Sequence, residues 1–256
     1  MRGAGRQQVD EEFERIRGAC TRGAAPKGGS FPEWTRDGIE SLEEFFDGTA
    51  HLWDARFGAG YEFLHAATAD QIPSTDDAIT ILDVGCGTGL ELEFIFERAP
   101  HARITCLDQA PRMLDEVRRK YADRRDQISL VEASCLDWPP GLSGFDFALS
   151  ILCLHHFPPD TKPRIYSSIR GSLRDTGVYI EGDQMVLPEA EAEGLALFEA
   201  WIAKLPSGRL GAWNYDISLS VETTRRLLLD AGFSSCEQVY DDNDDGTNRH
   251  AVLVAR

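Results

Sequence analysis

The sequence predicts a doubly wound α/β fold with a mostly parallel sheet, and two observations carry that expectation. An apolar stretch, Ile79-Thr80-Ile81-Leu82-Asp83-Val84, breaks into Gly85-Cys86-Gly87-Thr88-Gly89, as a buried strand does when it turns tightly into a helix. Strand-like runs then alternate with helix-like stripes to about residue 181, the pattern of parallel strands joined by crossover helices. At 256 residues, 42% of them hydrophobic, the chain is long enough to bury one full α/β core.

Residues 1–38 are polar and glycine-rich and read as a flexible arm, with room for a short helix around Asp10 to Arg17. Residues 39–75 read as a helical lid, because Leu42, Phe45, Phe46, Leu52, Trp53, Phe57, Tyr61 and Leu64 recur at mostly helical intervals. After the glycine turn, Leu92, Ile95, Phe96 and Ala99 form an apolar stripe that stops at Pro100. A second strand follows over Arg103 to Asp108. Pro111 opens the next helix, whose buried face is Met113, Leu114, Val117 and Tyr121. Further strands are expected at 128–132, 145–152 and 178–181, with a helix over 160–173. Residues 184–219 break the alternation and read as a cap insertion containing an acidic helix. Ser220 can start a helix that ends at Gly232, and strands near 235–240 and 250–254 close a hairpin.

Composition narrows the partners. A formal net charge of −17 and a pI near 4.7 oppose attraction to nucleic acid or to an anionic membrane. The first thirty residues lack the apolar core of a signal peptide, and no run of 18 apolar residues occurs, so a soluble cytoplasmic protein is expected. The six cysteines, Cys20, Cys86, Cys106, Cys135, Cys153 and Cys236, have no C-x-x-C spacing and read as reduced thiols. Asp241 to Gly246 match the start of a calcium loop, but position twelve falls on Val252, which leaves a solvated hairpin turn. His155 and His156 adjoin without a third ligand at credible spacing, so no metal is expected. On an extended strand exit the two rings would also point opposite ways.

Three glycines at alternate positions allow backbone to approach a ligand closely. A dinucleotide turn, G-x-G-x-x-G, would place its third glycine where Leu90 stands. The observed Leu82-Asp83-Val84-Gly85-Cys86-Gly87-Thr88-Gly89 instead resembles motif I of the class I S-adenosylmethionine-dependent methyltransferases, small-molecule type. Phe46 to Arg56 resemble the lid segment preceding motif I in that family, with Trp53 in the usual tyrosine place. Leu154-His155-His156 are similar to its strand-four exit. The resemblance covers about residues 42–256 and implies a Rossmann-like, seven-stranded sheet ending in an antiparallel hairpin.

The resemblance also implies S-adenosylmethionine as cofactor, with S-adenosylhomocysteine as product. Its contacts would come from Asp83, Gly85, Cys86, Gly87 and Gly89 in the turn. Asp108, nineteen residues past Gly89, would take the ribose hydroxyls. Gln109 and Met113 would flank ribose and adenine, although Met113 suits a core position equally well. Ser134 stands where the family has an aspartate; with Cys135 it would meet the adenine, Ile151 would pass below the sulfonium, and Trp53 would close from the lid. His155 or His156 is a candidate general base, set against a structural role holding the loop. The expected function is methyl transfer to an O, N or C atom of a small-molecule acceptor. A synthase of the carboxy-S-adenosylmethionine type and a non-catalytic cofactor-binding protein stand as alternatives, and a homodimer is compatible with either. Acceptor contacts are expected from Trp53, Arg56, the cap and residues 213–216.

Overall fold

The computed structural model describes residues 7–12, 41–203, 215–242 and 249–256. Most of the expected arm, the Trp213-Asn214 pair and the tip of the last hairpin lie outside the described residues. Residues 7–12 are helical.

In chain order come helix α1 (Leu42–Ala69), β1 (Thr80–Val84), α2 (Leu92–Arg98), β2 (Arg103–Asp108), α3 (Pro111–Lys120), β3 (Ile128–Glu132) and β4 (Phe145–Ile151). They are followed by α4 (Lys162–Ser172), β5 (Leu173–Val186), α5 (Pro188–Ile202), β6 (Leu219–Ser220), α6 (Val221–Asp230), β7 (Cys236–Asp241) and β8 (Arg249–Ala255). The strands form one sheet in the order β3-β2-β1-β4-β5-β8-β7, with β6 paired to β5. All pairs are parallel except those of β8 with β5 and β7.

Alternate residues of the central strands serve two cores, which is why the sheet needs helices on both faces. Leu82, Val84, Leu107, Ala148 and Tyr179 face Ile165, Tyr166 and Ile169 of α4 and Leu228 of α6. Ile81, Ile104, Leu149 and Ile180 face Leu64 of α1, Leu92 and Ile95 of α2, and Leu114 and Val117 of α3. β1 lies between β2 and β4, so the chain reverses its direction of sheet growth there. Ligands of open α/β sheets bind beyond the strand carboxyl ends at such a point.

Two details differ from the sequence reading. The sheet has an eighth strand, because Leu219 and Ser220 hydrogen-bond to Met185 and Val186 just before Ser220 caps α6. That pairing and the long ladder with β8 carry β5 well past Glu181. The expected helical lid over 39–75 is a single 28-residue helix. Ser41 caps α1 by accepting from the Glu44 N–H at 3.1 Å. The far end of α1 is core, with Leu64, His65, Thr68 and Ala69 buried, and its first half crosses α3 and the glycine turn. No helix among the described residues is long and apolar enough to cross a membrane.

Candidate active site

The glycine turn leaves β1 with Gly85, Gly87 and Gly89 at φ of 71°, 51° and 71°, the left-handed region where a Cβ is penalised. The three differ in what surrounds them. A Cβ on Gly85 would stand 2.1 Å from Cys153 Sγ, and one on Gly89 2.9 Å from Leu92 Cδ1. A Cβ on Gly87 would meet nothing within 4 Å. Gly85 and Gly89 are therefore packing positions, while Gly87 faces open space. Gly85→Ala should cost about 2–5 kcal/mol of stability, from strained φ plus overlap, and Gly87→Ala only about 1–2. Urea unfolding of both variants checks the order; equal losses would contradict this division of roles.

Asp108 ends β2 directly beside that turn. Its Oδ2 accepts from the Gly87 N–H at 2.9 Å and its Oδ1 from the Ala110 N–H at 2.8 Å. Burial lifts its pKa to about 6 against the pull of those two N–H groups, with Glu91 adding to the rise. Each oxygen keeps a lone pair for a further donor. A carboxylate with spare acceptor capacity, next to a glycine that opens on free space, fits a ribose diol approaching the turn. The residues present thus suit a nucleoside cofactor.

α1 covers this place. Asp54 accepts from Thr88 Oγ1 at 2.5 Å and pairs with Lys120 at 2.7 Å, and Asp47 takes the Arg112 N–H at 2.8 Å. Half-buried Trp53 packs on Ala50, Ala110 and Met113, and its ring lies 5.1 Å from Phe46. Met113 is fully buried, so the core role open to it is realised. Gln109 is half-buried beside Asp108. Ser134 Oγ accepts from the Leu136 N–H at 3.3 Å, a turn of its own making. Arg56, expected near the acceptor, instead pairs with Asp10 at 3.1 Å.

Asp83, Cys86, Cys135 and Ile151 are all buried. Asp83 belongs to a closed group under α1 that the sequence did not reveal, since His65 and Glu91 come from separate elements. His65 Nδ1 lies 3.3 Å from Glu91 Oε2. Burial and the neighbouring Glu91 raise Asp83 well above the carboxylate range, whereas His65 outweighs burial and lowers Glu91. The cysteines, scattered in sequence, also meet in space: burial and the neighbouring Cys106 raise the Cys86 thiol, and the neighbouring Cys135 and burial raise that of Cys153.

The exit of β4 overturns two expectations. Leu152 adopts φ 49°, rare for a residue with a side chain, and the chain then enters a 3₁₀ turn over Leu154–His156. The His155 and His156 rings consequently stand side by side, with centroids 4.0 Å apart, and do not point opposite ways. A third metal-ligating group is also present, because Ile217 donates to the His155 carbonyl at 2.6 Å and brings Asp216 over both rings. Sixty residues of separation hid Asp216.

Asp183 of β5 holds His155 at two points. Its Oδ1 lies 2.6 Å from Nδ1, and its Oδ2 accepts the His155 backbone N–H at 3.0 Å. Burial alone would lower the imidazole pKa, but Asp183, helped by Asp216, raises it above the ordinary value. Burial would likewise raise Asp183, yet His155 and Lys162 hold it below the usual range. In the neutral ring, with the Nδ1 proton committed to Asp183, Nε2 carries the lone pair; Gln184 Nε2 is 3.4 Å from it. His156 Nδ1 lies 2.9 Å from the Tyr215 carbonyl, and its ring is 5.2 Å from Phe46 of α1. Through Phe46 and Trp53 the histidine pair is continuous with the covered turn. Asp241 and Asp242 pair with Arg249 and His250 across the last hairpin, and the rest of the calcium-like stretch lies outside the described residues.

Comparison with known proteins agrees with this geometry. Residues 81–177 match the methyltransferase domain family. The chain is 28% identical over 166 residues to a malonyl-[acyl-carrier protein] O-methyltransferase of Paenibacillus sp., covering 62% of the chain and 57% of that relative. It is 28% identical over 182 residues to a trans-aconitate 2-methyltransferase of Azoarcus sp., covering 65% and 64%. The match thus spans less than two thirds of either relative's length. Among solved structures, the DhpI–SAH complex superposes with TM-score 0.60 at 19% identity, over 83% of this chain and 93% of that one. Human N-acetylserotonin methyltransferase with SAM gives TM-score 0.61 at 12% identity, over 97% and 66%. Residues 81–177 are thus a methyltransferase domain, and the turn and sheet order around them are similar to those of the class I S-adenosylmethionine-dependent methyltransferases.

Proposed function

We propose that the chain transfers the methyl group of S-adenosylmethionine to a small-molecule acceptor, and that His155 removes the acceptor's proton. The observation that carries this reading is the convergence of the Gly87–Asp108 cradle and the Asp183-held His155 beneath one helix, α1. The relatives with the longer matches act on malonyl-[acyl-carrier protein] and trans-aconitate, which favours an acceptor other than nucleic acid, whereas the match to a tRNA adenine methyltransferase covers only 24% of the chain.

S-adenosylmethionine supplies a methyl group already bonded to a sulfonium. The protein's part is positioning, which can contribute roughly 7–11 kcal/mol in favourable cases. Gly87 in the turn and Asp108 beside it would hold the nucleoside end. Trp53 and Phe46 exclude water from the α1 side. His155 Nε2 would take up the proton that the acceptor loses on methylation. Asp183 keeps that nitrogen's lone pair turned outward, the role of the carboxylate in other oriented histidines.

Incubation with S-adenosylmethionine and a panel of hydroxylated and aminated metabolites tests the proposal. Equal amounts of S-adenosylhomocysteine and a product heavier by one methylene are expected for at least one acceptor. Tight cofactor binding with no turnover on any member would indicate a binding protein. A copurified cofactor of altered mass would indicate a cofactor-modifying enzyme.

α1 is tied to the turn through Asp54, so Asp54→Ala should weaken S-adenosylhomocysteine binding roughly 3- to 10-fold, the scale of one or two hydrogen bonds. Calorimetry checks this. Unchanged affinity would leave α1 a purely structural layer.

A further inference from the structure

We propose that His155, His156 and Asp216 bind a divalent transition-metal ion, with Asp183 as the outer carboxylate that fixes His155. Asp216 Oδ1 stands 3.6 Å from His155 Nε2 and 3.2 Å from His156 Nδ1. One ligand atom from each of the three residues falls within 4.8 Å of the others. Nitrogen and oxygen ligands about 2.0–2.1 Å from a tetrahedral zinc stand about 3.4 Å apart. The two short separations bracket that value, and the two ring nitrogens, within 4.8 Å of each other, need to close by at most about 1.4 Å for one ion to reach all three groups.

The surroundings support the same reading. Metal-binding histidines commonly donate their second ring N–H to a carboxylate, which fixes tautomer and ring orientation. Asp183 does this for His155 at 2.6 Å, and is itself held by the backbone N–H groups of His155 and Gln184 at 3.0 and 2.8 Å. Both histidines are buried, which shields the ion from competing water. Ligation at His156 Nδ1 releases its proton and gives up the bond to the Tyr215 carbonyl. Two imidazoles and one carboxylate favour zinc, nickel or copper over magnesium or calcium, which prefer oxygen ligands.

Binding stands on this geometry alone. One consequence rests on the proposed transfer reaction: the ion takes the same Nε2 lone pair that would accept the acceptor's proton. Metal occupancy and base catalysis are then mutually exclusive, and the ion acts as an inhibitor.

The test is a calorimetric titration of the chelator-treated full chain with Zn²⁺ alone, repeated with Co²⁺ to read coordination from the visible absorption. One ion per chain is expected, with a low-symmetry Co²⁺ spectrum. Asp216→Asn and His156→Gln should each weaken binding at least ~10-fold, and Asp183→Asn roughly 10- to 100-fold. His101→Gln, at an exposed position far along the chain, should change nothing. Circular dichroism identifies a variant that fails to fold, and Asp216→Asn, at a half-exposed position, remains decisive if His156→Gln does. Zinc binding of equal strength in wild type and Asp216→Asn, or none in wild type, overturns the site. In the activity arm, Zn²⁺ should compete with acceptor and leave S-adenosylhomocysteine affinity unchanged. Zinc binding at these residues without methyl transfer on any acceptor would uphold the metal site while removing the transfer reading; transfer without zinc binding would do the reverse.

Discussion

Replacing His155 with glutamine should lower methyl-transfer turnover by roughly 100-fold to 10,000-fold, the range for a positioned general base, while leaving S-adenosylhomocysteine affinity unchanged. Glutamine can still donate to Asp183 but has no basic nitrogen to present at the site. His155 is singled out over His156 because Asp183 grips both its ring and its backbone N–H, whereas the His156 Nδ1 faces only the Tyr215 carbonyl and Asp216. His156→Gln should therefore cost much less in turnover. The assays belong in chelator, so that loss of a base is not confused with loss of a metal ligand. Full activity in both single variants would leave alignment alone to explain catalysis and return both rings to a structural role.

Asp108→Ala should weaken S-adenosylhomocysteine binding on the order of 100-fold or more. Hydrogen bonds to a charged group contribute about 1.5–3 kcal/mol each, and the ribose diol offers two. The substitution also removes the acceptor that holds the Gly87 and Ala110 N–H groups, so the turn itself loosens. The same carboxylate imposes a pH dependence. Without ligand its pKa is lifted to about 6 by burial, with Glu91 contributing. Ribose hydroxyls donate to the charged form, so the bound pKa lies lower. Affinity is then fully present above about pH 6 and falls as the pH drops through that value, because the free protein must first release a proton. Titrations at about pH 5 and about pH 7.5 should differ in the wild type and agree in Asp108→Ala. A flat wild-type profile would show that Asp108 does not receive the ribose.

The parts legible in the sequence were those set by local pattern. The glycine turn after an apolar strand, Pro111 opening α3, and Ser220 capping α6 each depend on a few adjacent residues, and the structure realises all three. Alternating burial likewise announces a two-faced sheet. The parts that stayed hidden depend on separations no local pattern records. Asp216 reaches the histidines because residues 215–217 lie along the 3₁₀ turn, which follows Leu152 in a left-handed φ that leucine does not advertise. His65 and Glu91, from α1 and the turn before α2, close around Asp83 for the same reason. Asp183 was missed because β5 was expected to end at Glu181, before the residue that holds His155. Its last residues are strand because β8 and β6 pair with them, a tertiary fact.

The central claim is that the turn after β1 and the carboxylate after β2 form a site for a sulfonium nucleoside and not for a dinucleotide. Calorimetric titration of the unmodified chain with S-adenosylhomocysteine and, separately, with NAD tests it most directly. One saturable S-adenosylhomocysteine site per chain is expected, with no measurable NAD binding. Tight NAD binding with no response to S-adenosylhomocysteine would contradict it.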